Sequence, residues 1–488
     1  MIAIKLKQRF KLSQVSPLQI IVVLAILQLL ITLLTDGFVL SFDEAIWHFI
    51  GRNWFRFNLA PYAGGVDNKS PLIFAIFGLS DRFFGVNYWF PRVLGTLCQS
   101  VGLYYAYKIA EYVSGRKAGM LALSFYGLSL LWRATGNKYV SYTETYEVTF
   151  VIIAFYYYLA AQNKKHYLLS GCLAGIAIAF RLTAFFAVLA IFISLIRKNI
   201  NNTLSFCLGA LLSLISLVLI YYLSGINMHD LFTYGFADNF RSGNAYDYSF
   251  LWKVEQFSDK FLYSEVVLLY PLTIGYFIIK KQADPFVLWL IFAFAAIVVV
   301  GGYTRVHVKE VLPALSLMSA FALAHLAEVY KMPLGPAMIV IWIVFFPKLL
   351  EPLINLKKLL HSNPAKVEEY CTQPYTWPDE ETRKKLGWWV KQNTGTQDKV
   401  FVTGFGAQIQ VYSERQSIYF NGMQTRISAG KLFKDLQANK PAMILVPLYP
   451  EYKQYIKPQM RNFIDSVVAR DYTLYKCMYS HNIYKLKQ

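Results

Sequence analysis

The sequence predicts an all-α polytopic membrane protein with a small α/β domain at its C-terminus. Hydrophobic residues make up 56% of the 488 residues and charged residues only 16%, whereas soluble domains carry about 25% charged residues. Apolar runs close to the ~18 residues that a helix needs to cross a bilayer recur up to about residue 350. Helices are expected in these runs because a helix satisfies its own backbone hydrogen bonds in lipid.

Basic residues in the connections predict the topology, because cytoplasmic loops are enriched in lysine and arginine. The basic N-terminus is expected inside and is followed by an uncleaved first span, since no small-residue cleavage site follows the first apolar run. The predicted spans are 17–38, 90–112, 118–134, 142–161, two within 167–196, 202–223, 261–279, 286–301, 309–328 and 334–350. This gives about eleven transmembrane helices, and an odd number places the C-terminus outside.

The segment 167–196 is too long for one span and short for two. Basic residues flank it on both sides, at 164–165 and at 197–198, so both of its ends are expected inside. The chain must then cross the membrane and return, with Arg181 near the turning point. Two short helices that meet at an arginine resemble the broken helices that form sites in other membrane proteins.

The composition divides the chain into two predicted domains. Residues 1–351 are expected to form the membrane domain, with a long first outer loop at 39–89. From about residue 352 onward, charged residues become frequent and long apolar runs stop. The predicted elements there are buried strands at 399–405 and 442–449 and an amphipathic helix at 427–440. Residues 352–488 are therefore expected to fold as a separate outer α/β domain.

The net charge of +19 raises the question of a nucleic-acid partner. The lysines and arginines are scattered at the ends of apolar spans, which is the usual membrane pattern. No nucleic-acid partner is therefore expected, and the partners predicted from charge are membrane lipids with anionic headgroups or the phosphate of a lipid substrate.

The five cysteines do not form a disulfide framework. Cys98, Cys172 and Cys207 lie in apolar spans and are expected to be core residues. Cys371 and Cys477 flank the polar C-terminal region and are expected to pair if that region is periplasmic.

Acidic residues near the outer ends of spans are candidates for chemistry. Asp43 and Glu44 closely follow the first span, and Glu144 and Glu147 share a helix face at the start of the fourth. A carboxylate held at the outer membrane face suits a general base. The alternatives are a solvated pair at a helix end and carboxylates that complement a helix dipole.

Basic residues near the same outer ends are candidates for holding a phosphate. Lys69 precedes Pro71, which is predicted to start a helix whose N-terminus favours an anion. The alternative is a lysine that extends to the lipid headgroups. The other basic candidates are Arg92, Arg181, Arg305, His307 and Lys309, of which the last three also suit a solvated basic loop.

No motif of metal or cofactor chemistry occurs in the sequence. HExxH, paired CxxC, a Walker loop and GxSxG do not occur. No metal site and no cofactor are therefore expected, although the acidic clusters leave a hard divalent cation open.

The order of these features resembles the GT-C glycosyltransferases, and within them the branch of protein O-mannosyltransferases and bacterial lipid A aminoarabinose transferases. The matching stretches are FDEAIWHFIGRNW, DNKSPLIF, FFGVNYWFPRVLG, GRKAGMLAL, YTETYEVTF and GIAIAFRLTAFF. Two departures keep the positive charge: Ser70 replaces the first proline of the family's Lys-Pro-Pro-Leu motif, and Arg181 stands where many members carry lysine. The resemblance is best over residues 40–190.

The resemblance implies a hexosyl- or pentosyltransferase that moves a sugar from a polyprenyl-phosphate carrier to a hydroxyl of a protein, lipid or glycan. The reaction would invert the anomeric centre at the outer face of a bacterial inner membrane, with the N-terminus cytoplasmic and the C-terminal domain periplasmic. Asp43 would be the base, and Glu44 and Glu144 would orient the acceptor, the sugar or the basic residues. The residues expected to bind the donor phosphate are Lys69, Arg92, Arg181, Arg305 and His307. A transporter or flippase of lipid-linked sugars is the alternative.

Overall fold

A computed structural model of the protein describes residues 15–239, 249–279, 284–300, 304–348, 353–354, 377–404, 406–417, 429–450, 456 and 458–487. These residues belong to two compact units. Unit 1 comprises the described parts of Met1–Thr35, Arg92–Leu219 and Phe240–Asn355. Unit 2 comprises the described parts of Asp36–Pro91, Ile220–Asn239 and Leu356–Gln488.

The described chain is mostly helical. In chain order the helices are α1 (Pro17–Asp36), α2 (Phe42–Phe57), α3 (Pro71–Phe84), α4 (Trp89–Ser129), α5 (Thr143–Leu159), α6 (Lys164–Phe180), α7 (Ala184–Ile196), α8 (Ile200–Leu223), α9 (Phe250–Phe261), α10 (Tyr270–Ile279), α11 (Pro285–Val300), α12 (Val308–Val329), α13 (Leu334–Val344), α14 (Glu380–Gln392), α15 (Ala407–Ser413), α16 (Ala429–Ala438) and α17 (Pro458–Asp471). Short helical turns lie at Arg133–Thr135, Met228–Asp230, Glu265–Leu269 and Arg305–His307, and Leu231–Ala237 is a π-helix.

Three described helices are long and apolar enough to cross a membrane: Pro17–Thr35, Ile200–Leu223 and Arg305–Val329. A fourth span results if Phe250–Phe261 and Glu265–Ile279, which are bent by 59° at their break, act as one. Shorter apolar helices lie at Ala184–Ile196, Pro285–Val299 and Leu334–Val344. The larger number of about eleven spans stays a prediction.

Two breaks in the helices of unit 1 lie where the sequence predicted them. Ser114 and Gly115 interrupt α4 between the predicted second and third spans, and Gly115 has a left-handed φ of 82° that favours glycine. Helix α6 ends at Phe180, α7 begins at Ala184, and Arg181 between them is extended, with φ −159° and ψ 131°. The prediction of two short helices that meet at Arg181 is therefore confirmed.

Small residues bring helices α6 and α8 into close contact. A Cβ atom added at Gly171 would collide with the Phe206 carbonyl, and one added at Gly209 would collide with the Leu168 carbonyl. Gly175, one turn beyond Gly171, lies against Ser213 in the same way. This Gly-x-x-x-Gly spacing is the usual way for membrane helices to approach each other at the backbone.

The C-terminal part of unit 2 is built on a four-stranded sheet. Its strands are β1 (Val400–Val402), β2 (Met443–Pro447), β3 (Tyr472–Met478) and β4 (His481–Leu486), in the order β1-β2-β4-β3. β1 and β2 are parallel, and the other two pairs are antiparallel. Alternate residues face opposite sides, as the period of a strand requires: Val400 and Val402 pack with Leu386 of α14, and Phe401 packs with Leu432 of α16.

The predicted secondary structure of this part is confirmed for both strands and the helix between them, although the elements are shorter than expected. The predicted domain limits at 351 and 352 stay a prediction. Cys477 is disulfide-bonded, and Cys98, Cys172 and Cys207 are free. Cys371 lies outside the described residues, so its pairing with Cys477 also stays a prediction.

Candidate functional site

In unit 1, five ionisable side chains converge at the break between α6 and α7, and we call them the Arg181 cluster. Helix α5 begins at Thr143, which places two of its carboxylates in its first turns. The turn Arg305–His307 leads directly into α12, which supplies another carboxylate from its first turn. The members of the cluster are Glu144, Glu147, Arg181, His307 and Glu310.

Arg181 is the centre of this cluster. Its Nη1 pairs with Glu144 Oε1, and its Nε lies 3.4 Å from Glu310 Oε1 and 3.7 Å from Glu147 Oε2. Nε also donates to Thr183 Oγ1 at 2.8 Å. Three carboxylates from two helices therefore surround one guanidinium.

His307 completes the contacts of the guanidinium. Its Nδ1 lies 2.6 Å from Nη2 of Arg181 and 3.2 Å from Oε1 of Glu310. A guanidinium can only donate hydrogen bonds, so a ring nitrogen of His307 is the acceptor in its contact with Arg181. The hydrogen-bond partners of the guanidinium among the described residues are Thr183, Glu144 and His307.

The members of the cluster are removed from solvent. Glu144 and Glu147 are 2% exposed, Glu310 is 5% exposed and His307 is 6% exposed. Buried charges are costly unless they are paired, which explains why the carboxylates gather around Arg181. A small cavity beside them is lined by Glu147, Val148, Val151, Thr183, Ala187, Trp289, Ala293 and Glu310.

The other basic candidates of unit 1 lie at different places. Lys309 is buried, and its Nζ donates to the Tyr139 carbonyl at 2.8 Å and to Thr145 Oγ1 at 3.3 Å. Arg305 is half-buried, and Arg92 is buried at the start of α4. The alternative of a solvated loop is wrong for His307 and Lys309, since both are buried.

In unit 2, helix α2 carries the two acidic candidates of the first outer loop. Asp43 is half-buried in its first turn, and Glu44 is buried. Oε2 of Glu44 accepts a hydrogen bond from the Ser41 backbone N–H at 2.9 Å, which forms a capping box. The carboxylate of Glu44 therefore stabilises the start of α2.

A four-residue segment, Asp67–Ser70, carries the lysine candidate, and we call it the Lys69 loop. Ser70 caps α3, and Pro71 is its first residue, as the sequence predicted. Nε1 of Trp47 donates to Oδ2 of Asp67 at 2.8 Å. Trp47 lies one turn after Asp43 on α2, so the two side chains share a helix face. This hydrogen bond therefore joins the helix of Asp43 to the loop of Lys69.

A buried charged group also fixes α2 against α3. Nε of Arg56 lies 2.5 Å from Oδ2 of Asp81, and Nδ1 of the fully buried His48 lies 3.8 Å from Oδ1 of the same carboxyl. Burial, with the nearby charge of Arg52, lowers the pKa of His48 to about 3. Nη2 of Arg52 donates to the Gln410 carbonyl at 3.0 Å, which ties α2 to α15.

The structure thus brings Glu144, Arg181 and His307 together in unit 1, and it places Asp43, Glu44 and Lys69 in unit 2. Sequence reasoning missed Glu310. Its signal was present, because a histidine and a glutamate three residues apart at the start of an apolar helix share one face. Within the described ranges, no group of three or more histidine, cysteine, aspartate or glutamate side chains is arranged to hold a metal ion.

Residues 68–223 match the family model described as dolichyl-phosphate-mannose-protein mannosyltransferase. A search of curated proteins found no match. Among solved structures, ArnT from Cupriavidus metallidurans bound to undecaprenyl phosphate has a TM-score of 0.66 at 12% identity, covering 96% of this chain and 97% of that chain. The archaeal oligosaccharyltransferase AglB from Archaeoglobus fulgidus, in complex with an inhibitory peptide and a dolichol-phosphate, has a TM-score of 0.51 at 11% identity, covering 97% of this chain and 74% of that chain.

Because the identities are low, these structural matches show the fold alone. The matched family segment contains Lys69, Arg92, Glu144 and Arg181. The family segment and the shared fold agree with the resemblance to GT-C glycosyltransferases found in the sequence motifs.

Proposed function

We propose that this membrane protein of the GT-C glycosyltransferase fold transfers a sugar from a polyprenyl-phosphate donor to an acceptor hydroxyl. The observation that carries the proposal is the hydrogen bond from Trp47 to Asp67. It joins the helix of a half-buried carboxylate, Asp43, to the loop of a lysine, Lys69. Transfer from a lipid phosphate needs both groups, a base for the acceptor and a cation for the leaving phosphate.

In the proposed reaction, Asp43 takes the proton from the acceptor hydroxyl. The acceptor oxygen then forms a bond to the anomeric carbon as the bond from that carbon to the carrier phosphate breaks. A direct displacement of this kind inverts the anomeric centre. The polyprenyl phosphate leaves with the bonding electron pair, and Lys69 stabilises the charge that develops on it.

The Arg181 cluster and two other basic residues of unit 1 have further proposed roles. Arg92, Arg181, Arg305 and His307 are the other proposed ligands of the donor phosphate. Glu144 pairs with Arg181, so we assign it the role of orienting that arginine. The solved relatives were determined with undecaprenyl phosphate and with a dolichol-phosphate, which supports a polyprenyl or dolichyl phosphate as the class of carrier.

The proposed location is the outer face of a bacterial inner membrane, with the N-terminus cytoplasmic and the C-terminal part of the chain periplasmic. Protease added to intact spheroplasts is then expected to remove the residues beyond 352. Cleavage only in inverted vesicles would reverse this orientation.

Two variants test the proposed chemistry. Asp43→Asn is expected to slow single-turnover transfer by about 10²- to 10⁴-fold, the usual loss for a general base, while undecaprenyl phosphate still binds. Lys69→Ala is expected to weaken that binding as well as slow the transfer, since the cation meets the phosphate before and during the reaction. Glu381→Gln and Lys434→Ala are matched controls, because each changes one exposed charge of unit 2 and is expected to leave both measurements unchanged.

A transporter or flippase of lipid-linked sugars is the second candidate, since it would use the same basic residues without a base. Wild-type transfer rates in Asp43→Asn would contradict the glycosyltransferase and favour this candidate. Normal binding of undecaprenyl phosphate in Lys69→Ala would move the phosphate role to Arg92, Arg181 or Arg305. Comparing surface glycans of cells with and without the gene would identify the sugar and the acceptor.

A further inference from the structure

Each residue of the Lys69 loop is held by a different partner within unit 2. The partners come from α2, from the turn after it, from the end of α8 and from the segment that follows the π-helix. The contacts are Trp47 Nε1 to Asp67 Oδ2 at 2.8 Å, Asn239 Nδ2 to the Asn68 carbonyl at 3.0 Å, the Tyr62 hydroxyl to the Lys69 carbonyl at 2.8 Å, and the Tyr221 hydroxyl to Ser70 Oγ at 3.4 Å.

Tyr62 stands out among these partners because its backbone is strained. Its φ is 71°, a left-handed value that bulky residues seldom adopt. Such strain persists only where the surroundings fix the residue, and it occurs often at functional sites. The backbone N–H of Tyr62 donates to the Gly65 carbonyl at 2.9 Å, and its side chain is fully buried.

The surroundings of Tyr62 direct its hydroxyl toward the loop. Its ring is stacked on Tyr234 of the π-helix and packs edge-on against Phe74 of α3, each with ring centroids 6.1 Å apart. Gly235 leaves room for the hydroxyl, since a Cβ atom there would lie 2.6 Å from it. A π-helix is a rare element that is found mostly at functional sites.

We propose that Tyr62 is a positioning residue that acts through Lys69. Its hydroxyl holds the Lys69 carbonyl, which fixes the peptide plane after Lys69 and hence the direction of the lysine side chain. A long flexible side chain loses less conformational freedom on binding when its base is already fixed. The inference rests on the proposed role of Lys69 as a ligand of the donor phosphate.

The test compares binding of undecaprenyl phosphate to the full-length detergent-solubilised protein and its variants. Tyr62→Phe removes the hydroxyl and keeps the ring, and it is expected to weaken binding about 3- to 10-fold, the usual worth of one hydrogen bond. Gly235→Ala places a methyl group against the same hydroxyl without changing Tyr62, and it is also expected to weaken binding. It takes the place of Tyr62→Phe if that variant does not fold.

A matched control is Tyr472→Phe. Tyr472 is also buried in unit 2, and its hydroxyl also donates to a carbonyl, that of Pro441, at 2.8 Å. Tyr472→Phe is expected to lower the melting temperature about as much as Tyr62→Phe and to leave binding unchanged. If the role of Tyr62 is purely structural, Tyr62→Phe and Tyr472→Phe should change binding equally. That result would overturn the inference.

The double variant separates action through Lys69 from independent action. In the Lys69→Ala background, Tyr62→Phe is expected to weaken binding no further, because the side chain that it positions is gone. A full additional loss in that background would overturn the inference. If Tyr62→Phe binds normally and Lys69→Ala binds weakly, this inference is overturned and the proposed role of Lys69 is not. No binding by the wild-type protein would overturn the proposed donor and this inference with it.

Discussion

The Arg181 cluster and the Lys69 loop hold their cations in opposite ways. In the cluster, acidic side chains from two helices surround Arg181. In the loop, mainly neutral donors fix the backbone on both sides of Lys69. Buried ion pairs depend on every partner, because removing one leaves another charge unpaired. Neutral anchors each contribute about 1 kcal/mol and fail one at a time. The cluster should therefore respond to mutation through stability and the loop mainly through ligand binding.

Arg181→Ala gives the largest expected effect. It leaves three carboxylates together without their cation, and breaking a buried pair in this way costs about 3–5 kcal/mol. A large drop in the melting temperature of the detergent-solubilised protein is expected. Arg181→Lys keeps the charge and should retain much of the stability. An unchanged melting temperature in Arg181→Ala would show that the carboxylates do not depend on the arginine.

The second effect concerns pH and the buried pair of His48 and Asp81. The folded-state pKa of His48, about 3, lies below the ordinary value of 6.5. The unfolded chain therefore takes up a proton first as the pH falls below 6.5, and the free energy of unfolding decreases down to about pH 3. The loss from His48 reaches up to about 2 kcal/mol at pH 5, at about 1.4 kcal/mol per pH unit.

His48→Gln should flatten this dependence between pH 6.5 and 5, measured as melting temperature against pH. Burial raises the pKa of Asp81, so that carboxyl takes up its proton first in the folded state and contributes a change of opposite sign as the pH falls. His229→Gln is the control, because His229 is 84% exposed in the same unit. If the melting temperature falls equally steeply with pH in His48→Gln and in the wild-type protein, this pH dependence does not come from His48.

Trp47→Phe is expected to have a smaller effect of about 1 kcal/mol on stability, the value of one hydrogen bond. Binding of undecaprenyl phosphate should weaken a few-fold, since the Lys69 loop loses its anchor on α2. Isothermal titration of the purified variant measures this change. If Trp47→Phe binds normally but has a lower melting temperature, Trp47 contributes only to the packing of the core.

Glu310→Gln should have the smallest effect on stability, within about 1 kcal/mol. The cluster holds three carboxylates for one guanidinium, so neutralising one of them relieves desolvation while Arg181 keeps two partners. The measurement compares the melting temperatures of Glu310→Gln and Arg181→Ala. A loss as large as that of Arg181→Ala would show that Glu310 is the main partner of the arginine.

The local features of the fold were predictable from the sequence because they depend on neighbouring residues. Basic residues on both flanks predicted the break at Arg181, and Pro71 marked the start of α3. Helix α2 was missed as an element and read as part of a loop. The spacing of Ser41 and Glu44 was its signal, since that pair forms a capping box.

The candidate sites were only partly predictable, because their contacts join distant parts of the chain. Arg181 meets Glu310 from a helix more than 100 residues later. Tyr62 contacts Lys69 from a left-handed backbone conformation, and no local pattern predicts that conformation for a tyrosine. Long-range pairing of this kind depends on how the helices pack.

The close packing of α6 against α8 links the position of Arg181 to the surrounding lipid. The backbones of the two helices are in contact at Gly171 and Gly209, so we expect a change in the tilt of α8 to shift α6 as well. Helix α8 has 24 residues and is about 36 Å long, which exceeds the ~30 Å hydrocarbon thickness of a bilayer. A helix longer than the bilayer tilts to match it. Arg181 follows the end of α6, so we expect the depth of its charge to change with the thickness of the bilayer.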